Sequence, residues 1–367
     1  MVDKPSDQPH DEPHVRVAQR VGPDQVGQRV VLRRLLPDGR AGDLLGDLVR
    51  WDESSDQPGV TVRTRAGDVS VAVHDVLGGK PVPPPPPRRG RPHRTIDWQQ
   101  LESVASDGWR PVELDWIGPE GGGWRLRAAE GFTGRANSVL AVGDPALPLS
   151  QAVDRAEAWY ADRGLPSRFA VPWPLSARRL TGTAGGGEPA LHRVDTDLDR
   201  LLAGRGYRLD TPTLVLSAAS REVAVATTPM RAAPTSVVVR LDAEPDDEWL
   251  AVYHYRGQEL PAVARRLLLS APQQVFASVR DDQGRALAVA RGASSQGWTG
   301  VTAMEVGAPH RRQGLARLVL GRLARWAVDR GDASMYLQVA EANAAARALY
   351  EAAGFAVHHA YHYRVRD

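Results

Sequence analysis

The chain has no cysteine in its 367 residues. That excludes disulfides, thiolate metal sites and a cysteine nucleophile, and with the nucleophile goes any thioester-linked acyl-enzyme. Lysine is almost missing too. Of 46 Lys plus Arg only Lys4 and Lys80 are lysine, which leaves 44 arginines. With abundant Ala, Gly and Val this bias reads as a GC-rich genome and not as nucleic-acid chemistry. There is no field of one sign: the net charge is +2, too small to argue for nucleic acid. The one basic spot, Arg88-Arg89-Gly90-Arg91, stands in a linker and reads as solvated. Long hydrophobic runs are absent as well. Nothing is long enough to span a bilayer, and the polar stretch Met1 to His14 lacks the apolar region of a secretory signal. The expectation is a cytoplasmic protein with no membrane or nucleic-acid partner.

What is present is an ordinary globular balance, 42% apolar and 25% charged, in a chain long enough for two or three domains. The clearest boundary is Pro81 to Pro92, which opens with six prolines and Val82 in the seven residues from Pro81 to Pro87. Such a run is extended, semi-rigid and hostile to helix or sheet interiors. Before it, Gln28 to Leu35, Leu44 to Trp51, Val60 to Arg65 and Val69 to Val73 are short strand-like runs divided by turn residues. They predict a small all-β barrel of SH3-like type. The expected layout is a disordered tail over 1–14, this barrel over 15–80 and a proline-rich linker over 81–95.

The most informative stretch lies near the C-terminus. Thr299 to Val306 reads as a strand, and Gly307 to Gly314 as a turn. Leu315, Leu318, Val319, Leu323, Trp326 and Ala327 then form a stripe at the spacing of one helical face. Residues Arg311 to Ala316 therefore sit at a helix N-terminus, where the first N–H groups lack intrahelical partners and the dipole is positive. Such a place suits a phosphate. Gly314 lets a ligand approach the backbone, and Arg311, Arg312 and Arg317 add permanent positive charge. After the helix come a strand at Met335 to Val339, a helix from an N-cap at Asn343 through Ala353, Gly354, and a last strand from Phe355 to Tyr363.

The pattern R-x-x-G-x-A at Arg311, Gly314 and Ala316, followed by Tyr336-Leu337-Gln338-Val339 and Asn343 to Phe355, resembles the second half of the GNAT superfamily of N-acetyltransferases. The resemblance is strong over roughly 235–367. It implies an α/β fold, a mixed sheet flanked by helices, and acetyl-CoA as co-substrate with no metal. Lacking cysteine, the enzyme would transfer the acetyl group directly in a ternary complex. By the resemblance, Met304, Glu305 and Val306 hold the pantetheine arm and the thioester oxygen. Arg311, Arg312, Gln313, Gly314, Leu315, Ala316 and Arg317 hold the diphosphate. Asn343 and Ala346 meet the pantetheine arm, and Tyr350 is the general acid. A phenol with an ordinary pKa near ~10 is protonated at neutral pH and able to donate.

The general base is open. Glu305 is the carboxylate in the strand before the loop, a water relay is the alternative, and His254 is a weaker candidate. His358, His359, His362, Tyr361 and Tyr363 in the last strand either line the acceptor pocket or pack the sheet; their spacing is not that of a zinc site.

Residues 96–230 repeat the strand and helix alternation at low fidelity and carry no R-x-x-G-x-A in the turn between the strand-like run Arg135 to Val142 and the helix Ser150 to Arg163. They are expected to form a degenerate GNAT-like half that helps shape the acceptor site, leaving 231–367 as the catalytic half. The whole layout resembles bacterial N-acetylglutamate synthase-like proteins. That resemblance implies the α-amine of glutamate as acceptor and a place in amino-acid biosynthesis. Two alternatives stand beside it: a protein or peptide acetyltransferase whose SH3-like domain recruits the target, and a non-enzymatic acetyl-CoA sensor. The oligomeric state is left open.

Overall fold

The structure, a computed structural model, describes residues 21–36, 39–53, 58–64, 67–82, 91–174, 196–228, 237–254 and 259–366. The expected tail over 1–14 and residues 83–90 of the proline-rich segment lie outside the described residues. The chain divides into two compact units, Met1–Arg88 and Arg89–Asp367.

The first unit is a five-stranded antiparallel sheet of β1 (Arg29–Leu35), β2 (Ala41–Asp52), β3 (Gly59–Thr64), β4 (Gly67–Ala72) and β5 (Val76–Pro81), in the order β4-β3-β2-β1-β5. Alternation along the strands turns Val30, Leu32, Leu44, Leu48, Val60, Val62 and Val71 into one core. The fifth strand is not legible in the sequence, because Gly78, Gly79 and Pro81 give it a turn-like composition. It carries the sheet to Pro81, and Pro92–Thr95 forms a helical turn, α1, so regular structure enters both ends of the segment read as linker.

The second unit is built on one sheet of eleven strands. Its upstream part supplies β6 (Glu113–Ile117), β7 (Trp124–Ala128), β8 (Val139–Leu140), β9 (Ser167–Pro174) and β10 (Arg208–Ala219). Its downstream part supplies β11 (Val238–Asp242), β12 (Gln274–Arg280), β13 (Ala286–Ser295), β14 (Trp298–Val306), β15 (Ser334–Ala340) and β16 (Ala356–Arg366). The order is β11-β12-β13-β14-β15-β10-β16-β9-β8-β7-β6. The helices are α2 (Trp98–Gly108), α3 (Leu149–Ala161), α4 (Asp197–Gly204), α5 (Ser220–Ala226), α6 (Asp247–Val252), α7 (Val263–Leu268), α8 (Leu315–Asp329) and α9 (Ala344–Ala352).

Each part holds a parallel strand pair joined through a helix, β8-α3-β9 and β14-α8-β15, and then a second helix and a closing strand. The closing strands are exchanged. β10 of the upstream part lies between β15 and β16, and β16 of the downstream part lies between β10 and β9. The two parts foreseen in the sequence therefore share a continuous sheet.

The sheet has two covered faces. Leu214, Leu216 and Ala218 of β10 turn to the face packed by α5, α8 and α9. Phe169 and Val171 of β9 turn to the same side, against α3 and α4. Val215 turns the other way, to α2, and Phe276 and Val289 meet α6 and α7 there. Tyr336 is buried under α2 because two glycines make room: a Cβ on Gly300 would stand 2.4 Å, and one on Gly108 2.5 Å, from the phenol.

Candidate active site

The centre of the site is a split in the sheet. β14 and β15 pair in parallel only from Trp298 to Val301 against Ser334 to Leu337. Beyond Val301 the two strands part. β15 stays with β10, Gln338 opposite Val215 and Ala340 opposite Thr213. β14 stays with β13, Glu305 opposite Val289 and Val306 opposite Ala288. Between these registers β14 carries a bulge, with Ala303 at φ 49°. Positive φ is costly for a residue with a Cβ, and a bulge of this kind bends its strand and re-aims the side chains. The result is a wedge whose β14 wall has backbone polar groups turned away from any ladder partner across to β15 among the described residues.

On the α8 face the wedge meets the loop after β14. A 3-10 turn, Ala308–His310, leads to Arg312 at φ 65° and Gly314 at φ 80°, from which α8 starts. A Cβ on Gly314 would meet no protein atom within 4 Å. Packing therefore does not demand glycine there; the left-handed conformation and an open approach do. Among the described residues the backbone N–H groups of Arg312, Gln313, Gly314, Leu315 and Ala316 have no hydrogen-bond acceptor. Arg311, Arg312, Gln313 and Arg317 are exposed around them. Arg311 Nε donates to the Val306 carbonyl at 3.3 Å, Gln313 Nε2 to Pro309 O at 3.3 Å, and Arg317 to the Ala226 carbonyl. Leu315 is buried in the core and anchors the first turn.

Strand alternation sends Met304 and Val306 to this same face. Tyr350 on α9 is buried there, and its hydroxyl donates to Met304 Sδ at 3.5 Å. Burial pushes the phenol up to about 12. Asn343 caps α9, its Oδ1 accepting from the Ala346 N–H at 3.1 Å, and Ala346 packs on the core. The loop, Met304 and Tyr350 thus lie on one side of the sheet, at the mouth and root of the wedge. An amide row at a helix start can hold a diphosphate, and a neutral buried phenol can give up a proton to a leaving anion.

On the opposite face Glu305 points toward α6. Its Oε2 accepts from the His254 N–H at 2.8 Å, while the His254 ring Nδ1 meets Val252 O at 3.0 Å. A cavity of about 240 Å³ opens on this side where the strands part. Its walls include Val301, Thr302 and Ala303 of β14, Gln338 and Ala340 of β15, Tyr361 and Tyr363 of β16, and Arg135. Glu305 and His254 are not among its lining residues.

The histidines of β16 pack instead of lining the cavity. His359 is buried, with Nε2 2.8 Å from Glu102 Oε1, and Gln338 Nε2 reaches the same oxygen at 3.4 Å. Burial alone would raise Glu102, but His359 outweighs it and holds the carboxyl low. His358 Nε2 meets Ile96 O at 3.1 Å. His362 lies on the other face, where the Trp173 indole donates to its Nδ1 at 3.2 Å and its Nε2 stands 2.6 Å from Asp199 Oδ1. The indole fixes the tautomer, so Nε2 is the donor. Among the described residues no cluster of three or more His, Asp or Glu side chains stands ready to hold a metal, and no helix is long and apolar enough to cross a membrane.

Sequence reasoning missed Arg135. It stands in a stretch, Arg135 to Val142, that reads as a strand; the strand is only Val139–Leu140. The preceding residues form a loop built on Asn137, whose Oδ1 accepts from the Ala129 and Gly131 N–H groups and whose Nδ2 donates to Phe132 and Thr133 carbonyls, each at 2.8–2.9 Å. The signal available was the asparagine, a residue that organises loops through its own side chain.

Comparison with known proteins agrees with the geometry. The family model described as "Probable histone acetyltransferase Rv0428c C-terminal" matches residues 95–191 and 199–364. A Mycobacterium tuberculosis protein named "Probable histone acetyltransferase Rv0428c" is 28% identical over 344 residues, 91% of this chain and 93% of that protein. The Bacillus subtilis "Uncharacterized N-acetyltransferase YobR" is 25% identical over 274 residues, 74% of this chain and 99% of that protein. Among solved structures, a tandem GNAT protein from the clavulanic acid biosynthesis pathway has a TM-score of 0.52 at 14% identity, covering 76% of this chain and 90% of its own; that likeness is one of fold. The matched model takes in both parts of the eleven-stranded unit, and the chain belongs to this Rv0428c C-terminal family of GNAT-fold N-acetyltransferases.

Proposed function

We propose that the chain binds acetyl-CoA from the α8 face and an amine from the α6 and α7 face, and passes the acetyl group directly between them through the gap between β14 and β15. One observation carries the reading: the strands part at Val301 beside a helix start with five free amides. In this reading the N–H groups of Gln313 to Ala316 hold the diphosphate, with Arg311, Arg312 and Arg317 adding charge. The freed backbone of Met304, Glu305 and Val306 takes the pantetheine arm and polarises the thioester oxygen. Asn343 and Ala346 line the arm's path along α9. The amine nitrogen attacks the thioester carbon, the C–S bond breaks, and Tyr350 gives its proton to the departing thiolate. Because Glu305 is outside the cavity lining, it accepts the amine's proton through water.

The acceptor has two readings. The resemblance to N-acetylglutamate synthase-like proteins favours the α-amine of glutamate, acetylated in the cytoplasm for amino-acid biosynthesis. The name of the Mycobacterium tuberculosis relative, a probable histone acetyltransferase, favours an amine on a protein or peptide, with the N-terminal sheet as an SH3-like recruiting module; five antiparallel strands with a 3-10 turn before the last support that module. The boundaries 96–230 and 231–367 serve as functional halves of one sheet. Detection of free CoA thiol across amino acids, polyamines and peptides tests the reading. Thiol release with at least one amine is expected, and its absence across the whole panel, with no acetyl-CoA binding, overturns it.

A further inference from the structure

The cavity beside Val301 contains a cation that the fold itself does not use. Arg135 lines it, and its Nε is buried with no hydrogen-bond partner. No carboxylate among the described residues pairs with this guanidinium. The carboxylate that acts on it through space, Glu102, is engaged by His359 at 2.8 Å and by Gln338. A second guanidinium stands just behind the wall. Arg291 is fully buried, donates through Nη1 to Thr302 Oγ1 at 3.3 Å and to Gly108 O at 2.9 Å, and leaves Nη2 without a partner. Burial, with Arg135 adding repulsion, pulls Arg291 down to about 10, so it stays charged at neutral pH. Arg127, the third buried guanidinium nearby, is satisfied by the Ser138 carbonyl and hydroxyl at 2.9 and 2.8 Å. Positive charge thus exceeds negative charge around a polar hole.

A guanidinium nitrogen buried without an acceptor is costly, and such a group in a native structure calls for an explanation, which a ligand that completes it supplies. A planar guanidinium matches a carboxylate by two parallel hydrogen bonds. The volume, about 240 Å³, has room for roughly eight waters at ~30 Å³ each, which is amino-acid size. We propose that this cavity is a carboxylate-binding subsite for the acceptor, with Arg135 of the upstream part gripping the acid so that the amine faces the gap between β14 and β15. The proposal rests on the transfer reading above and assigns the upstream part a direct share in substrate choice.

The test is calorimetry on the full chain. CoA is titrated first, which decides the cofactor reading alone. N-acetylglycine and N-acetylglutamate, as stand-ins for product, are then titrated beside their carboxamides, with CoA if it binds and without it if it does not. The wild type is expected to bind at least one acid tenfold or more tighter than its amide. In Arg135→Gln that preference should fall below threefold with CoA affinity unchanged, and the melting temperature of the ligand-free variant should equal or exceed that of the wild type, because a buried nitrogen without an acceptor has gone. Binding of neither acid by the wild type, equal binding of acid and amide, a preference that survives in Arg135→Gln, or a clear loss of melting temperature in that variant overturns the proposal.

Discussion

Two side chains carry separable chemistry at the scale of single residues. Among the described residues the Tyr350 hydroxyl has only the soft Met304 sulfur as partner, at 3.5 Å, so Tyr350→Phe should leave the fold intact. It should lower kcat by about 10²–10⁴-fold, the range of a lost general acid, with the Kd for acetyl-CoA within threefold by calorimetry. Burial raises the phenol to about 12. The proton-bearing form therefore persists below that pH, and the rate profile should show no fall from Tyr350 up to about pH 10 while it rises at lower pH as the amine deprotonates. A decline centred near pH 8 to 9 would speak against Tyr350 as the acid. Glu305→Gln keeps an oxygen for the His254 N–H and removes only the charge. Stopped-time assays should give a kcat loss of 10²-fold or more with KM little changed if Glu305 takes the proton; an unchanged kcat assigns it to holding His254.

Elements explain which parts of the site were legible from sequence. The loop and α8 could be read because Arg311, Gly314 and the apolar stripe are local signals, and the turn chemistry and helix period agree. The gap is implied only by the family resemblance, which gives Met304, Glu305 and Val306 free backbone for the pantetheine arm; no local signal states it, because it depends on a bulge at Ala303 and on β10, a strand more than a hundred residues upstream, holding β15 away. Arg135 was hidden for the same reason: its role comes from a loop folded by Asn137 and not from any periodicity. Helix packing has its own test. Gly321 sits inside α8 against α5, where an added Cβ would come within 2.7 Å of Thr227 Oγ1. That hydroxyl is itself tied to Val223 O, so it has little freedom to move. Gly321→Val should destabilise by about 1–3 kcal/mol through overpacking, read by chemical denaturation; a neutral result would show the α5 contact to be loose. On the same face Asp199 is buried against Arg364 and His362. Burial alone would raise its carboxyl, but the Arg364 and His362 hydrogen bonds outweigh burial and hold it well below the usual range. A depressed carboxyl stabilises above its unfolded value, near ~4, and that support fades as the pH falls further. Asp199→Asn should be less stable than the wild type at pH 7, with the gap shrinking below pH 4 in thermal melts.

The whole molecule is governed by the exchange of closing strands. Sequence reading placed the upstream and downstream repeats in order and gave most of their strands and helices within a few residues. They read as neighbours, because nothing local in β10 or β16 states which strand each will pair with. In the structure β10 fills the place between β15 and β16. Residues 231–367 alone would leave the inner edges of β15 and β16 without their partner. That fragment should fail to give a cooperative thermal transition by circular dichroism, whereas 89–367, which holds the entire sheet, should give one; a folded 231–367 fragment would mean that the exchange is dispensable.

The central claim is that the amides at the start of α8 grip the diphosphate of acetyl-CoA while its thioester enters the gap beside Val301. A crystal structure of the complex tests it most directly. Diphosphate oxygens within about 3 Å of the Gln313 to Ala316 nitrogens, with the thioester between β14 and β15, are the predicted result; a nucleotide lodged against α3 in the upstream part, or no bound nucleotide at saturating concentration, would contradict it.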